Sequence, residues 1–284
     1  MSYKIAAFDL DGTLLDSKKE LSKENREALY RIAEKGIKVV PCTGRLFKGL
    51  PEVIRNMPFI EYAITVNGAR VISVDRHSDG SSGVGEAVYQ AEIDLQTALS
   101  VMEFLENYPV IYDCYAMDKA FISASMYEAV EDFVWDPIYI DMVRKLRTKV
   151  PDLRQYIEKQ GSGVQKIQLY TKDDGLRREL FHEIRSRFPG ISPTSSTESN
   201  IELNDMKANK GDALKALADH LGVPVCETIG FGDGLNDVPL VREAGFGVAM
   251  RNACPEVIRE ADFVTLGNNE NGVAYALKKY VLLD

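Results

Sequence analysis

Short apolar runs alternate with segments of helical periodicity near the start of the chain. The run from Ile5 to Phe8 is bounded by Asp9 and Gly12 and predicts a strand buried on both faces. Helical spacing over 24–35 follows it, and a second apolar run over 37–42 predicts the next strand. The same reading gives a helix at 46–56, a strand at 62–66 and a hairpin strand at 70–74. This β-α-β-α-β order predicts an α/β fold with a doubly wound parallel sheet.

The middle of the chain has a different pattern. Residues 78–85 are rich in Ser and Gly and predict a loop or linker. Beyond it, strands follow one another with helices between them, which predicts an α+β insert with an antiparallel sheet. Its predicted strands are 87–93, 110–115, 120–123, 166–170, 191–197 and 200–204, and its predicted helices are 94–107, 125–134, 151–159 and 174–187. The α/β rhythm returns at Lys210, so we predict a core of residues 1–83 and 198–284 interrupted by an inserted domain at 84–197.

Composition and charge describe an ordinary soluble globular protein. Hydrophobic residues make up 45% and charged residues 27% of the 284 positions. The net charge of -9 argues against a nucleic-acid or anionic-membrane partner, because no overall basic field would attract phosphates. An anionic substrate would therefore need a local positive centre, such as a bound metal. The chain shows no secretory leader pattern and no apolar run of transmembrane length, so we expect a cytoplasmic protein. A monomer or a homodimer is expected.

The first predicted strand ends in two carboxylates, Asp9 and Asp11, followed by Gly12. The carboxyl edge of an open α/β sheet is where such folds bind ligands, so this pair is a candidate for chemistry. An ordinary turn after the strand is an equally good interpretation of these residues alone. A calcium loop is excluded because its spacing requires a third ligand before the glycine and a helix in front.

A second acidic motif, Gly232 to Asp237, follows the apolar run at 228–231 and opens a helix. Asp233 and Asp237 can converge on one cation, while Asn236 and the helix N-terminus can face an anion. A dinucleotide-binding glycine loop is disfavoured, because its third glycine comes one residue early and acids occupy the place of the pyrophosphate.

Four motifs in order resemble the haloacid dehalogenase superfamily. They are Asp9-Leu-Asp-Gly-Thr13, Thr43-Gly-Arg45, Asn209-Lys-Gly211 and Gly232-Asp-Gly-Leu-Asn-Asp237. Their order, with the insert between the second and third motifs, resembles the Cof-like branch of small-molecule phosphatases. This resemblance implies a Rossmann-like catalytic core with a large α/β cap domain of type IIB, and a cap that closes over the site.

The resemblance also implies roles for the acidic residues. Asp9 would be the nucleophile that forms an aspartyl phosphate, and Asp11 the general acid and base. One Mg2+ would be held by Asp9, the main-chain carbonyl of Asp11 and Asp233, with Asp237 reached through water or from a second layer. Oxygen ligands without His or Cys suit Mg2+ better than zinc.

The remaining predicted site residues are polar or basic. The resemblance implies that Thr43, Gly44, Lys210 and Asn236 bind the phosphoryl group. Taken singly, these positions would be interpreted as a turn, a solvated lysine at a helix start and a helix N-cap. Two further candidates, Arg45 and Asn67, are predicted to contact substrate, with a helix-surface role for Arg45 and a hairpin turn for Asn67 as alternatives.

Taken together, the motifs predict Mg2+-dependent hydrolysis of small-molecule phosphate monoesters. Sugar phosphates are the first expectation, and cofactor phosphates such as pyridoxal phosphate are the second. A phosphotransferase or phosphomutase that uses the same aspartyl-phosphate chemistry is the nearest alternative. A third possibility is a binding or regulatory protein without turnover, which the unbroken set of motif residues disfavours.

Overall fold

The computed structural model describes residues 3–195 and 198–283. The chain forms two compact units. Unit 1 comprises Met1–Gln90 and Lys207–Asp284, and unit 2 comprises Ala91–Met206. The second unit is thus inserted into the first.

The described residues contain fourteen strands and twelve α-helices. The strands are β1 (Ile5–Phe8), β2 (Lys38–Pro41), β3 (Tyr62–Thr65), β4 (Arg70–Arg76), β5 (Ser82–Gln90), β6 (Ile111–Ala116), β7 (Lys119–Ser123), β8 (Arg147–Val150), β9 (Lys166–Tyr170), β10 (Ile191–Thr194), β11 (Asn200–Asp205), β12 (Thr228–Gly232), β13 (Phe246–Ala249) and β14 (Phe263–Val264). The helices are α1 (Lys23–Glu34), α2 (Glu52–Arg55), α3 (Leu95–Leu105), α4 (Ala124–Glu128), α5 (Val130–Phe133), α6 (Pro137–Leu146), α7 (Leu153–Gln160), α8 (Asp174–Arg187), α9 (Lys210–His220), α10 (Val238–Glu243), α11 (Pro255–Glu260) and α12 (Gly272–Leu277).

The main sheet of unit 1 is parallel, with strand order β14-β13-β12-β1-β2. Strand β1 lies inside it and is buried along its whole length. Ala6 and Phe8 join one apolar cluster, while Ile5 and Ala7 join another on the opposite face. Apolar residues at every position are what a strand covered on both faces requires. The predicted α/β fold, a doubly wound parallel sheet with an inserted α+β domain, is confirmed.

The pairing of β1 with β12 determines where the site forms. Phe8 lies opposite Phe231 in register, and their rings stack with centroids 4.8 Å apart. Both strands run in the same direction, so the residues after Phe8 and Phe231 emerge side by side at the carboxyl edge.

Strands β3, β4 and β5 form a separate antiparallel sheet in unit 1. The predicted strand at 87–93 and the linker at 78–85 differ from this arrangement, since β5 begins at Ser82 and pairs with β4 up to Gln90. The Ser- and Gly-rich composition therefore belongs to a hairpin whose second strand is only partly buried, and the turn near 77–81 separates the two strands. The unit boundary lies at 90/91, beyond the predicted 83/84.

Unit 2 contains a six-stranded sheet of order β10-β11-β9-β6-β7-β8, antiparallel except for the parallel pair β7 and β8. Helices α3, α7 and α8 contribute to the apolar cluster on one face. The return boundary lies at 206/207 rather than at 197/198, because β11 pairs with β9 inside unit 2. Residues 196 and 197, the end of the strand predicted at 191–197, lie outside the described residues.

Two local predictions differ from the structure. The predicted helix at 46–56 is a short 3-10 segment, Phe47–Gly49, followed by α2, because the chain is extended at Leu50 and Pro51 between them. No element is predicted from the sequence between 135 and 150, where α6 and β8 occur. Helix α6 buries only Val143 among its residues.

Candidate active site

Asp9 directly follows β1 at the carboxyl edge of the sheet. Its main-chain N–H donates to the carbonyl oxygen of Phe231 in β12 over 3.0 Å. Its side chain is nearly buried, and Oδ1 accepts a hydrogen bond from Nζ of Lys210 over 2.6 Å. Burial raises the pKa of Asp9 well above its usual value, and the charge of Asp237 raises it further, while Lys210 opposes both. The ionised form of Asp9 thus depends on nearby positive charge.

Lys210 supplies that charge from the first position of α9. Asn209 caps this helix, with its side chain accepting from the N–H of Asp212 over 2.8 Å. The Lys210 side chain is completely buried, and Nζ lies 2.6 Å from Oδ1 of Asp9 and 2.5 Å from Oδ1 of Asp237. Burial would lower the pKa of Lys210, but the carboxylates of Asp237 and Asp9 outweigh it and raise the pKa well above its usual value. Lys210 is therefore a buried cation between two acids, and a solvated lysine is excluded.

Asp9, Asp233 and Asp237 form one group of carboxylates. An oxygen from each of the three lies within 4.8 Å of the others, close enough to hold a metal ion. Among the described residues, the carboxylate of Asp11 does not belong to this group. Three converging carboxylates with one lysine leave an excess of negative charge that a divalent cation would balance. The donor set thus fits a hard, oxygen-binding cation.

Hydrogen bonds distinguish Asp237 from Asp233. Asp237 has both oxygens engaged, Oδ1 with Lys210 and Oδ2 with the N–H groups of Asp233 and Gly234 at 2.9 Å each. Within residues 3–195 and 198–283, the Asp233 side chain accepts one hydrogen bond, from Oγ1 of Thr13 to Oδ1 over 2.6 Å. Burial raises the pKa of Asp233 to about 6, against the hydrogen bond from Thr13 that lowers it. Asp233 therefore keeps an oxygen for a ligand, whereas Asp237 orients the loop and the lysine.

Gly12 makes room for the Asp233 carboxylate. Its φ of +91° lies in the left-handed region that glycine adopts without strain. A Cβ atom at this position would overlap the Asp233 side chain. Gly12 in the first motif is thus required because any larger residue would take the space of the Asp233 side chain in the fourth motif.

Asp11 lies apart from the buried group and faces two cations. Arg45 donates two hydrogen bonds to the Asp11 carboxylate, from Nε to Oδ2 over 2.9 Å and from Nη2 to Oδ1 over 2.6 Å. Lys19 adds a third contact, with Nζ 2.9 Å from Oδ1. Burial raises the pKa of Asp11, but the charges and hydrogen bonds of Arg45 and Lys19 outweigh it and hold the pKa below its usual value. Arg45 also donates to the carbonyl oxygen of Gly49 over 3.0 Å.

The second motif and Asn67 connect to the fourth motif. Thr43 is buried just past β2, and its carbonyl oxygen accepts from the N–H of Asn67 over 3.1 Å. Asn67 has a φ of 59° and its Oδ1 accepts from Nδ2 of Asn236 over 3.1 Å. A Cβ at Gly44 would stand 2.7 Å from the same Oδ1. These polar groups form a second cluster at the strand ends, and the hairpin-turn interpretation of Asn67 does not account for its contact with Asn236.

Two residues at the site were not predicted. Thr13 is part of the first motif, and its hydroxyl could have been assigned to a ligand-orienting role from that position. Lys19 has no comparable signal, because its place depends on a turn conformation that the surrounding sequence does not specify uniquely.

Comparisons with known proteins agree with this geometry. A family model described as haloacid dehalogenase-like hydrolase matches residues 6–277. The phosphatase YwpJ of Bacillus subtilis is 30% identical over 97% of this chain and 99% of its own length. The 5-amino-6-(5-phospho-D-ribitylamino)uracil phosphatase YcsE of the same organism is 28% identical, over 98% of this chain and 96% of its own length. A solved haloacid dehalogenase-like hydrolase from Bacteroides thetaiotaomicron has a TM-score of 0.78 at 29% identity, covering 98% of this chain and 99% of that one.

The chain therefore belongs to the haloacid dehalogenase-like hydrolases. The predicted family and the predicted class of enzyme, a phosphatase of this superfamily, are confirmed. Across residues 3–195 and 198–283, no helix is both long and apolar enough to cross a membrane.

Proposed function

We propose that this protein is a Mg2+-dependent phosphatase that hydrolyses small-molecule phosphate monoesters through an aspartyl phosphate on Asp9. The observation that carries the proposal is the convergence of Asp9, Asp233 and Asp237 around the buried ammonium group of Lys210. Sugar phosphates are the first expected substrates, and cofactor phosphates such as pyridoxal phosphate are the second. The relative YcsE is named for a ribityl phosphate substrate, which supports a small polyhydroxylated phosphate ester.

Asp9 and Asp233, together with the carbonyl of Asp11, would hold Mg2+, with Asp237 behind them. When bound, the ion supplies positive charge that lets the anionic carboxylate and the phosphate approach each other. Lys210 favours the ionised form of Asp9 and would face the phosphoryl oxygens, since it is the one cation buried beside the nucleophile among the described residues. Thr43, Gly44 and Asn236 would bind the remaining phosphoryl oxygens.

Asp9 attacks phosphorus, and the bond from phosphorus to the ester oxygen breaks. Arg45 and Lys19 favour the carboxylate form of Asp11, so Asp11 must exchange these contacts for a proton from solvent when substrate binds. It then gives that proton to the departing alcohol oxygen and takes one back from the water that attacks the acyl phosphate. This second attack releases inorganic phosphate and restores the Asp9 carboxylate. Separate positions for the two acids suit these roles, because Asp9 is buried against Lys210 while Asp11 is partly exposed at the edge of the site.

A phosphate-release screen over a panel of phosphorylated metabolites tests the proposal. We expect release of inorganic phosphate with water as the only acceptor, loss of release in EDTA and its recovery on adding Mg2+. Transfer of the phosphoryl group to a second sugar without phosphate release would instead support the phosphomutase alternative. Full activity in EDTA would contradict the metal role of Asp233.

A further inference from the structure

Asn252 is an exposed residue in the loop after β13, and its side chain joins three segments of unit 1. Its Nδ2 donates to the carbonyl oxygen of Gly12 over 2.8 Å, and its Oδ1 accepts from the main-chain N–H of Asn268 over 3.0 Å. A carbonyl at one end and an N–H at the other admit a single orientation of the amide. Asn252 thus holds the peptide group that links Gly12 to Thr13.

The loop that carries Asn252 also contacts the fourth motif through its main chain. The N–H of Met250 donates to the carbonyl oxygen of Gly232 over 3.1 Å, and the N–H of Cys254 donates to that of Asp233 over 2.9 Å. Because these two bonds lie on either side of Asn252, its side chain extends from a segment that is itself bound to the fourth motif. The hydrogen bond from Asn252 therefore connects the first motif to the fourth.

The position of the Gly12 peptide matters because Asp233 packs against it. A Cβ atom at Gly12 would overlap the Asp233 side chain, and the hydroxyl of the next residue, Thr13, donates to Oδ1 of Asp233 over 2.6 Å. Glycine leaves its peptide groups freer to rotate than any other residue does, so this turn needs restraint from outside. The bond from Asn252 supplies restraint at the carbonyl oxygen of Gly12 itself.

We propose that Asn252 is a positioning residue for the metal ligand Asp233. By holding the peptide between Gly12 and Thr13, it keeps the Thr13 hydroxyl on Oδ1 of Asp233 and the main chain clear of the other oxygen, which can then bind a cation. The inference rests on the proposed function, in which Asp9 and Asp233 hold Mg2+. Groups that orient a metal ligand typically change metal affinity by about 10- to 100-fold, and Asn252 acts one peptide further away, so its effect should be smaller.

Mg2+ affinity, measured by calorimetric titration of EDTA-treated protein, tests the inference without turnover. We expect Asn252→Ala to weaken Mg2+ binding by about three- to tenfold. Asn268→Ala is the matched control, because it removes a hydrogen bond to the carbonyl oxygen of Leu15, beyond the first motif, and keeps the main-chain N–H that Asn252 accepts. This control should bind Mg2+ as the wild type does. Each variant should lower the melting temperature by at most about 4 °C, as expected for the loss of one or two hydrogen bonds.

Kinetics should place the effect in the metal requirement. We expect Asn252→Ala to need about three- to tenfold more Mg2+ for half-maximal phosphate release, with kcat and substrate KM at saturating Mg2+ within about twofold of the wild type, because the bound ion then holds Asp233 in place. A purely structural role for Asn252 would lower the melting temperature and leave the metal requirement unchanged.

Unchanged Mg2+ affinity in Asn252→Ala, or an equal loss of affinity in Asn268→Ala, would overturn the inference. Wild-type protein that binds Mg2+ but releases no phosphate would contradict the proposed function instead, since the comparison of Mg2+ affinities is decided by binding alone.

Discussion

The ammonium group of Lys210 lies 2.5 Å from Oδ1 of Asp237, and neither side chain has more than 1% of its surface exposed. The same ammonium group lies 2.6 Å from the Asp9 carboxylate. One buried cation thus connects the acid after β1 to the acid that orders the loop after β12. Removing Lys210 would leave buried carboxylates without their partner, and removing either acid would leave the buried ammonium group with one partner fewer.

Replacing this lysine should therefore cost stability as well as activity. In the metal-free protein we expect Lys210→Met to lower the free energy of unfolding by about 3–5 kcal/mol, because two buried carboxylates lose their partner. Urea denaturation in EDTA measures the change. Lys215→Met in the same helix is the matched control, since Lys215 is 41% exposed and its ion pairs should contribute at most about 1 kcal/mol. Equal losses in the two variants would contradict this account of Lys210.

Replacing Gly12 should lower activity because the glycine leaves room for the Asp233 side chain. Gly12→Ala introduces a Cβ that overlaps the Asp233 carboxylate, so we expect metal affinity and turnover to fall by about tenfold or more. Gly36→Ala is the control, because Gly36 has a φ of +81° with open space where the Cβ would lie. Both variants should lose about 1–2 kcal/mol of stability from backbone strain. If Gly12→Ala turned over substrate as fast as Gly36→Ala, the contact with Asp233 would have no functional role.

Metal binding should weaken as the pH falls through the pKa of Asp233, which burial raises to about 6. Below that pH the carboxyl is protonated and cannot ligate, so Mg2+ affinity should fall between about pH 7 and about pH 5. Calorimetric titration at several pH values measures it. A constant affinity across this range would contradict the assignment.

Without metal, the raised pKa of Asp233 makes the folded state more stable at low pH than at high pH, whereas metal binding is favoured at high pH. Protonated Asp233 is the form that the fold prefers, so its contribution is fully present below the unfolded pKa of about 4 and is lost as the pH rises through about 6. Asp233→Asn, which is always neutral, should flatten this part of the stability profile in EDTA. Thermal melts of both proteins across the pH range compare the two slopes.

Asp11 should matter for rate more than for stability. Asp11→Asn keeps the shape of the side chain but cannot give up a proton in the same way, so we expect phosphate release from alkyl esters to slow by at least about 100-fold. Its ion pairs with Arg45 and Lys19 are partly exposed, and their loss should cost little folding free energy. Nearly unchanged turnover would exclude Asp11 as the general acid.

Much of the site could be predicted because parallel strands put their carboxyl ends at one edge. Asp9 and Asp233 each follow an apolar run that reads clearly as a buried strand, and β1 and β12 prove to be neighbours. Their approach therefore followed from the topology of the fold and needed no information on side-chain conformation.

The partners of the basic residues could not be predicted in the same way. Arg45 can reach several groups, and its pairing with Asp11 depends on rotamers and on the path of residues 46–50. The position of Lys19 depends on a left-handed backbone conformation that few sequence patterns predict. The predicted boundary at 83/84 differs from the unit boundary at 90/91 because Ser- and Gly-rich composition is shared by linkers and by a partly exposed strand such as β5.

The most direct measurement is phosphate release by purified Asp9→Asn in the presence of Mg2+, using a substrate that the wild type hydrolyses. The account predicts no turnover above background, since an amide at this position cannot attack phosphorus. Turnover at the wild-type rate in this variant would contradict the claim that Asp9 is the nucleophile.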